Sequence, residues 1–176
     1  MKKLLFFAAA LICSASVASA QTFSKDAQVI SAGIGFGGGY GVPISLSYEH
    51  GVYDINEKSS IGVGGYLGFG SHKEYIPTIV EYKYNDIFIA ATGSYHFTGV
   101  NKFDFYGSLR LGYNAASVNY DWYDKDYDTG AYDVSVGGLA YALVAGARYY
   151  FSDNWAANAE LGYGLATLNV GVSYKF

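Results

Sequence analysis

Apolar and polar residues alternate along most of the chain, and the alternation falls into eight segments. In the first, Ile30, Ala32, Ile34 and Phe36 share one face and Ser31, Gly33, Gly35 and Gly37 the other. In the second, Ile44, Leu46 and Tyr48 oppose Ser45, Ser47 and Glu49. The third sets Ile61, Val63, Leu67 and Phe69 against Gly62, Gly64, Tyr66 and Gly68. The fourth sets Ile87, Ile89, Ala91, Tyr95 and Phe97 against Phe88, Ala90, Thr92, Ser94 and His96. The fifth sets Phe103, Phe105, Leu109, Leu111 and Tyr113 against Tyr106, Ser108, Arg110 and Asn114. The sixth, seventh and eighth continue the pattern around Leu143, Leu161 and Val172, with Arg148, Glu160 and Lys175 on their polar faces. A period of two residues predicts strands with one apolar face each.

A soluble sandwich alternates too, so the height of the aromatics decides between the options. If odd strands leave the periplasm and even strands return, apolar-face aromatics collect at two levels. The lower level holds Tyr48, Tyr95, Phe97, Phe103, Phe105, Tyr149, Phe151, Trp155, Tyr174 and Phe176, and the upper one Phe36, Phe69, Tyr113, Tyr141 and Tyr163. Between them lie mostly aliphatic residues and Gly. A bilayer selects two aromatic girdles around an aliphatic band, because amphipathic rings favour the interface. Strands in hydrocarbon must pair on both edges, so the sheet is expected to close into a barrel of eight antiparallel strands. Its periplasmic turns should be short, as at Thr98–Lys102 and Ser152–Asn154. The outer links should be longer: residues 70–85 and 115–137 are expected to be long outer loops. The stretch His50–Lys58 is long for a periplasmic turn.

The first twenty residues stand apart from this pattern. Lys2 and Lys3 precede an apolar run from Leu4 to Ile12, and Ala18-Ser19-Ala20 offers small residues at the positions a signal peptidase reads. This predicts a secretory signal over residues 1–20, cleaved before Gln21, with export through the Sec pathway and one barrel domain over 21–176. The apolar run is too short for a membrane helix. Cys13, the only cysteine, lies inside the signal after the bulky Ile12, which argues against lipidation and leaves the exported chain without thiols for a disulfide or a cysteine metal site. Without Lys2 and Lys3, nine basic residues face 15 acidic ones, a net charge of −6. That excludes the basic stripe a nucleic acid needs. The 19 Tyr, with only 2 Pro, agree with a strand-rich fold.

The last strand, Val170-Gly171-Val172-Ser173-Tyr174-Lys175-Phe176, ends on an aromatic residue. With Tyr174 and Phe176 in these places it resembles the signal by which the barrel assembly machinery recognises its clients. Almost all of 21–176 resembles the small eight-stranded outer-membrane barrels, the family that includes OmpX and the OmpA membrane domain. The resemblance implies residence in the cell outer membrane, among lipid and lipopolysaccharide. It implies no particular function, and the peptidoglycan-binding part of OmpA-type proteins is not expected.

Candidate chemistry lies in two places. Inside the barrel, Glu49, His96, Arg110, Arg148 and Glu160 should form a polar network, with Arg110 and Glu160 at similar height and Glu49, His96 and Arg148 near the periplasmic mouth. Buried charges must pair, so this is either a salt-bridge network filling the lumen or a charged constriction in a narrow conducting path. Inward Tyr66, Phe88, Tyr106 and Tyr150 would obstruct a wide pore. Outside, Asp121, Trp122, Tyr123, Asp124, Asp126, Tyr127 and Asp128 form an acidic, aromatic loop suited to contact with a surface protein partner. Its alternating Asp spacing is that of a calcium loop, but Gly130 comes one position late and Ser135 stands where the closing Glu belongs, so no metal and no cofactor is expected. Ser71, His72 and Glu74 are one loop cluster without strand-held geometry, so no catalysis is expected either. Three functions remain: a non-enzymatic scaffold serving envelope integrity or surface interaction through its outer loops, a narrow low-conductance porin, or an accessory subunit of a larger outer-membrane complex.

Overall fold

A computed structural model describes residues 23–76, 80–122 and 134–176. The segment expected to be a signal, and Tyr123, Asp124, Asp126, Tyr127 and Asp128 of the acidic stretch, lie outside the described residues. Eight strands follow one another: β1 (Gln28–Phe36), β2 (Ile44–Asn56), β3 (Ser59–Ile76), β4 (Val80–Val100), β5 (Phe103–Trp122), β6 (Val134–Tyr150), β7 (Trp155–Tyr163) and β8 (Leu168–Lys175). Each pairs antiparallel with its neighbours in sequence, and β8 closes onto β1 in one barrel. Every backbone ladder that crosses the bilayer thus finds its partner inside the chain, as hydrocarbon requires.

The two faces sort as the alternation predicts. Along β1, Ile30, Ile34 and Phe36 are exposed on the outside, while Val29 and Gly35 are buried within. Along β4, Ile87, Ile89, Tyr95 and Phe97 face out and Phe88, Ala90, Ser94 and His96 face in. The exposed apolar residues form a continuous belt. For a soluble protein this would be a large aggregation surface, whereas for a bilayer protein it is the lipid contact. Register brings three lower-girdle rings onto neighbouring strands: Ile30 pairs with both Tyr48 and Tyr174, and Tyr174 with Trp155. The Tyr174 and Trp155 rings meet edge to face at 4.9 Å.

The strands overrun the expected ends. β3 and β4 stay paired to Ile76 and Val80, so the expected loop 70–85 is mostly a projecting hairpin. Likewise β5 runs to Trp122 and β6 starts at Val134, which takes most of 115–137 into the sheet. Asp121 and Trp122 therefore end a strand, paired with Glu81 and Val80, rather than sitting in a loop. Above the membrane both faces meet water, so nothing selects apolar alternation there and the strand signal fades while the hydrogen-bonded ladder continues. The stretch 50–58 resolves in the same way: β2 continues to Asn56, with irregular register after Gly51, and turns tightly into Ser59.

Candidate functional site: the filled lumen and the outer sheet

Alternation sends one polar or small residue in two toward the axis, and here these side chains meet. Nearest the periplasm, Glu49 from β2, His96 from β4, Asp104 from β5 and Arg148 from β6 make one buried cluster. Arg148 Nη2 donates to Glu49 Oε2 at 2.6 Å and its Nη1 to Asp104 Oδ2 at 3.0 Å. His96 lies between the same carboxylates, Nδ1 2.8 Å from Asp104 Oδ1 and Nε2 3.1 Å from Glu49 Oε1. Ionised carboxylates only accept, so two such bonds need a proton on each ring nitrogen or one on a carboxyl. Either way the four groups balance to zero net charge, which is how a dry interior can hold them.

Asp104 was missing from the sequence-derived network. Its signal was present: it stands between outward Phe103 and Phe105, so alternation turns it in. Phe23 had no such signal. It lies ahead of β1, is buried, and stacks on the His96 ring at 3.8 Å with an interplanar angle of 17°. The segment that carries it is strapped across the periplasmic mouth. Asp26 N donates to Gly51 O, Gly51 N to Ala27 O, and Lys25 N to Asp54 Oδ1. Gly51 permits this approach, because a Cβ there would lie 2.0 Å from Ser24 O.

At mid-height Arg110 Nη2 donates to Glu160 Oε1 at 2.6 Å, and Tyr106 Oη donates to the same oxygen at 3.0 Å. The Arg110 guanidinium lies 4.2 Å from the Tyr66 ring centroid, and that of Arg148 4.5 Å from Tyr106. Such stacking suits the flat, weakly hydrated guanidinium. Tyr106 thereby joins the two charge layers. Hydroxyl pairs fill the space around them: Ser94 with Ser108 at 2.7 Å, and Ser31 with Ser173 at 2.8 Å. Among the described residues, three cavities of about 10 Å³ each lie beside these layers. That is about the room one water needs.

At the outer end β3, β4, β5 and β6 rise together past the barrel rim. β2 pairs with β3 only as far as Phe69, and β7 with β6 only as far as Leu143. Among the described residues neither outer edge of the raised sheet carries a further ladder, and a bridge from Gly41 to Ser71 meets the β3 side. At its foot Ser71 donates to Asn85 at 3.0 Å and His72 stacks on Tyr84 at 4.7 Å. His72 is thus packed against a ring, and among the described residues no group of His, Cys, Asp or Glu is placed to hold a metal. Tyr40, in the link between β1 and β2, leans over the rim. Burial, and after it the Asp86 carboxylate, raise its phenol above the ordinary value.

A closed, lipid-faced barrel with a filled axis defines the class: this is an integral outer-membrane β-barrel of the small eight-stranded type. No protein-family model matches the chain, and no curated protein sequence matches it significantly. Among solved structures it is similar to Ail, the attachment invasion locus protein of Yersinia pestis, with a TM-score of 0.51 at 17% identity over 86% of this chain and 99% of that one. It is also similar to the N-terminal β-barrel domain of Pseudomonas aeruginosa OprF, with a TM-score of 0.50 at 18% identity over 88% and 100% of the two chains. A de novo designed transmembrane β-barrel superposes equally well, with a TM-score of 0.50 at 15% identity over 89% and 100%. A designed sequence shares no ancestry with this one, so the likeness is one of fold.

Proposed function

We propose that this protein is a non-conducting outer-membrane scaffold that acts through its raised outer sheet, making contact with other proteins at the cell surface. The observation that carries the reading is the overrun of β3 to β6. Beyond Phe69, β3 continues through residues 70–76, about 20 Å of strand at roughly 3.3 Å per residue. A paired sheet with bare edges offers backbone donors and acceptors to an added strand. The acidic, aromatic stretch from Asp121 to Asp128, which begins at the end of β5, would add side-chain contacts. The name of Ail, an attachment protein of the same fold, agrees with a role at the surface. That Ail was also solved with sucrose octasulfate, a heparin analogue, but a chain carrying −6 is a poor partner for a polyanion.

The lumen supports the non-conducting half of the reading. Around the two charge layers and the stacked Phe23 the described residues leave water-sized spaces, so Arg110 and Glu160 act as internal struts rather than as a selectivity ring. Biogenesis through the barrel assembly machinery, guided by Tyr174 and Phe176, and a lipopolysaccharide surround go with this role.

Two measurements test it. Gln21–Phe176 refolded into a planar bilayer should stay silent once insertion is verified by heat-dependent migration on a gel. Reproducible steps whose ion selectivity changes on Arg110→Ala or Glu160→Ala would overturn the reading in favour of a narrow porin. In cells, shortening the 70–85 hairpin should abolish surface attachment and leave detergent resistance intact. Lost resistance with unchanged attachment would instead assign the protein to envelope integrity.

A further inference from the structure

β3 and β4 carry a graded face up out of the membrane. Phe69 of the upper girdle lies directly opposite Ile87, and both are exposed on the outside of the barrel. Every second residue beyond them falls on that same face, because the ladder runs on to Ile76 and Val80 without a bulge. Its first rung outward is Ser71 with Asn85, its second Lys73 with Lys83, and its third Tyr75 with Glu81. β5 extends these rungs with Ser117, Asn119 and Asp121. From the girdle outward the face thus passes from apolar to hydroxyl and amide, then to ammonium, then to carboxylate.

The lysine rung needs a physical reason. Like charges directly opposite one another destabilise a strand pair. Among the described residues beyond the upper girdle, Lys73 and Lys83 are the only Lys or Arg, and both fall in one rung. Their neighbour in that rung, Asn119, is neutral. Lys83 is exposed, and none of the described residues pairs with it. Glu81 and Asp121 belong to the next rung out, away from the membrane, and no acidic residue stands on this face between the lysines and the girdle. In the rung that does stand there, Ser71 donates to Asn85 Oδ1 at 3.0 Å, which turns the donor end of that amide away from Ser71.

Height matches charge. Four residues separate each lysine from the Phe69–Ile87 pair, about 13 Å of strand and, at a tilt of about 40°, about 10 Å of height. A lysine stem can lie back along apolar surface and lower its ammonium toward the headgroups. Directly opposed residues have Cβ atoms about 5 Å apart, which lets two ammonium groups share one phosphate.

We propose that Lys73 and Lys83 together bind a phosphate of the outer-leaflet glycolipid, and so tie the foot of the raised sheet to the lipopolysaccharide layer. The inference rests on the outer-surface placement of that sheet proposed above, and adds the ligand of its membrane side. A net charge of −6 repels a polyanion free in solution. A lipid phosphate is already held at this height by its acyl chains and needs only the local attraction of the rung.

The test is native mass spectrometry of refolded Gln21–Phe176 in micelles doped with lipid A, the phosphorylated glycolipid anchor, against dephosphorylated lipid A and phosphatidylglycerol as competitors. One lipid A per barrel should be retained, in preference to both competitors. Lys73→Gln and Lys83→Gln should each lower retention about fivefold, the pull of one basic residue near an anionic membrane surface, and the double variant roughly 25-fold. Lys83→Arg should keep it, and Lys58→Gln, in a periplasmic turn, should leave it unchanged. All variants are first verified as heat-modifiable barrels. Separately, Thr78→Cys, in the link between β3 and β4, should react with a membrane-impermeant thiol reagent on intact cells. No reaction there would remove the outer placement, and this inference with it. Reaction there combined with retention that ignores phosphate, displacement by equal phosphatidylglycerol, an unchanged double variant, or an equal loss in Lys58→Gln would overturn the phosphate site alone.

Discussion

Replacing Arg148 by methionine should be among the most damaging single changes in the lumen. Arg148 is 3% exposed and is bonded to both carboxylates of the periplasmic cluster. Without it Glu49 and Asp104, which are 5% and 0% exposed, share His96 alone, and the cluster carries an uncompensated negative charge. Breaking a buried pair from one side costs about 3–5 kcal/mol. With a urea slope of about 2 kcal/mol/M, the unfolding midpoint of the refolded barrel in vesicles should fall by roughly 1.5–2.5 M. The partner change separates electrostatics from lost packing. In Glu49→Gln/Arg148→Met the charge balances again, so the double variant should sit within about 1–2 kcal/mol of wild type, less damaged than Arg148→Met alone. Tryptophan fluorescence through reversible urea titrations reads all three proteins. A midpoint for Arg148→Met within about 0.5 M of wild type, or a double variant as damaged as the sum of the singles, would refute the view that charge balance holds this end together.

Other outcomes follow from the same geometry. Gly51→Val should eject the strap that carries Phe23, since its side chain would occupy the position of Ser24 O; limited proteolysis should then clip the N-terminal segment while the barrel survives. Phe23→Ala should cost about 3 kcal/mol, the usual loss for a buried phenylalanine, and should expose His96 to a water-soluble imidazole reagent that leaves wild type unmodified. Deleting Phe176 should reduce the amount of heat-modifiable barrel in cell membranes. The same deletion should refold normally in detergent, because Phe176 is exposed and only its backbone N bonds, to Gln28 O; equal loss in both settings would make its role structural rather than one in assembly.

How far the sequence reached depended on what each residue faces. Where a strand has lipid outside and a packed lumen inside, each position is constrained in turn, and the alternation from Ile87 to Phe97 names the faces of that stretch of β4. Arg110 and Glu160 could be matched in height from their distances to the girdle aromatics, and their head groups are bonded. Above the rim that constraint disappears. Residues 70–76 and 116–122 read as loop because water on both faces leaves no period, although their backbones pair without a break. Phe23 was illegible for a different reason: the residues before Gln28 have no repeat, and its place is set by Gly51 and His96, which become neighbours only after closure. The gap above Leu143 was also beyond reach, since two adjacent strands of unequal length look the same in sequence whether the longer one projects or is covered.

The two charge layers set among apolar filling explain how a short chain holds its barrel in one register. An apolar core would have given both faces of every strand the same character and erased the alternation that sets register, because a slip of one residue would then cost little. Ionisable groups on five different strands make slippage expensive. A one-residue shift of β5 would turn Asp104 and Arg110 toward lipid, leave Glu160 without its guanidinium and leave Arg148 with Glu49 alone. The polar lumen therefore fixes the pairing of β2, β4, β5, β6 and β7, and that fixed barrel holds the outer sheet upright. On this argument Arg110→Leu/Glu160→Leu, which removes both charges at mid-height, should retain much of the equilibrium stability yet fold to a mixture of registers. Its signature would be broadened cross-strand spin-label distances across β5 and β6, where wild type gives a single narrow distance; an equally narrow distance in the variant would show that the girdles alone set the register.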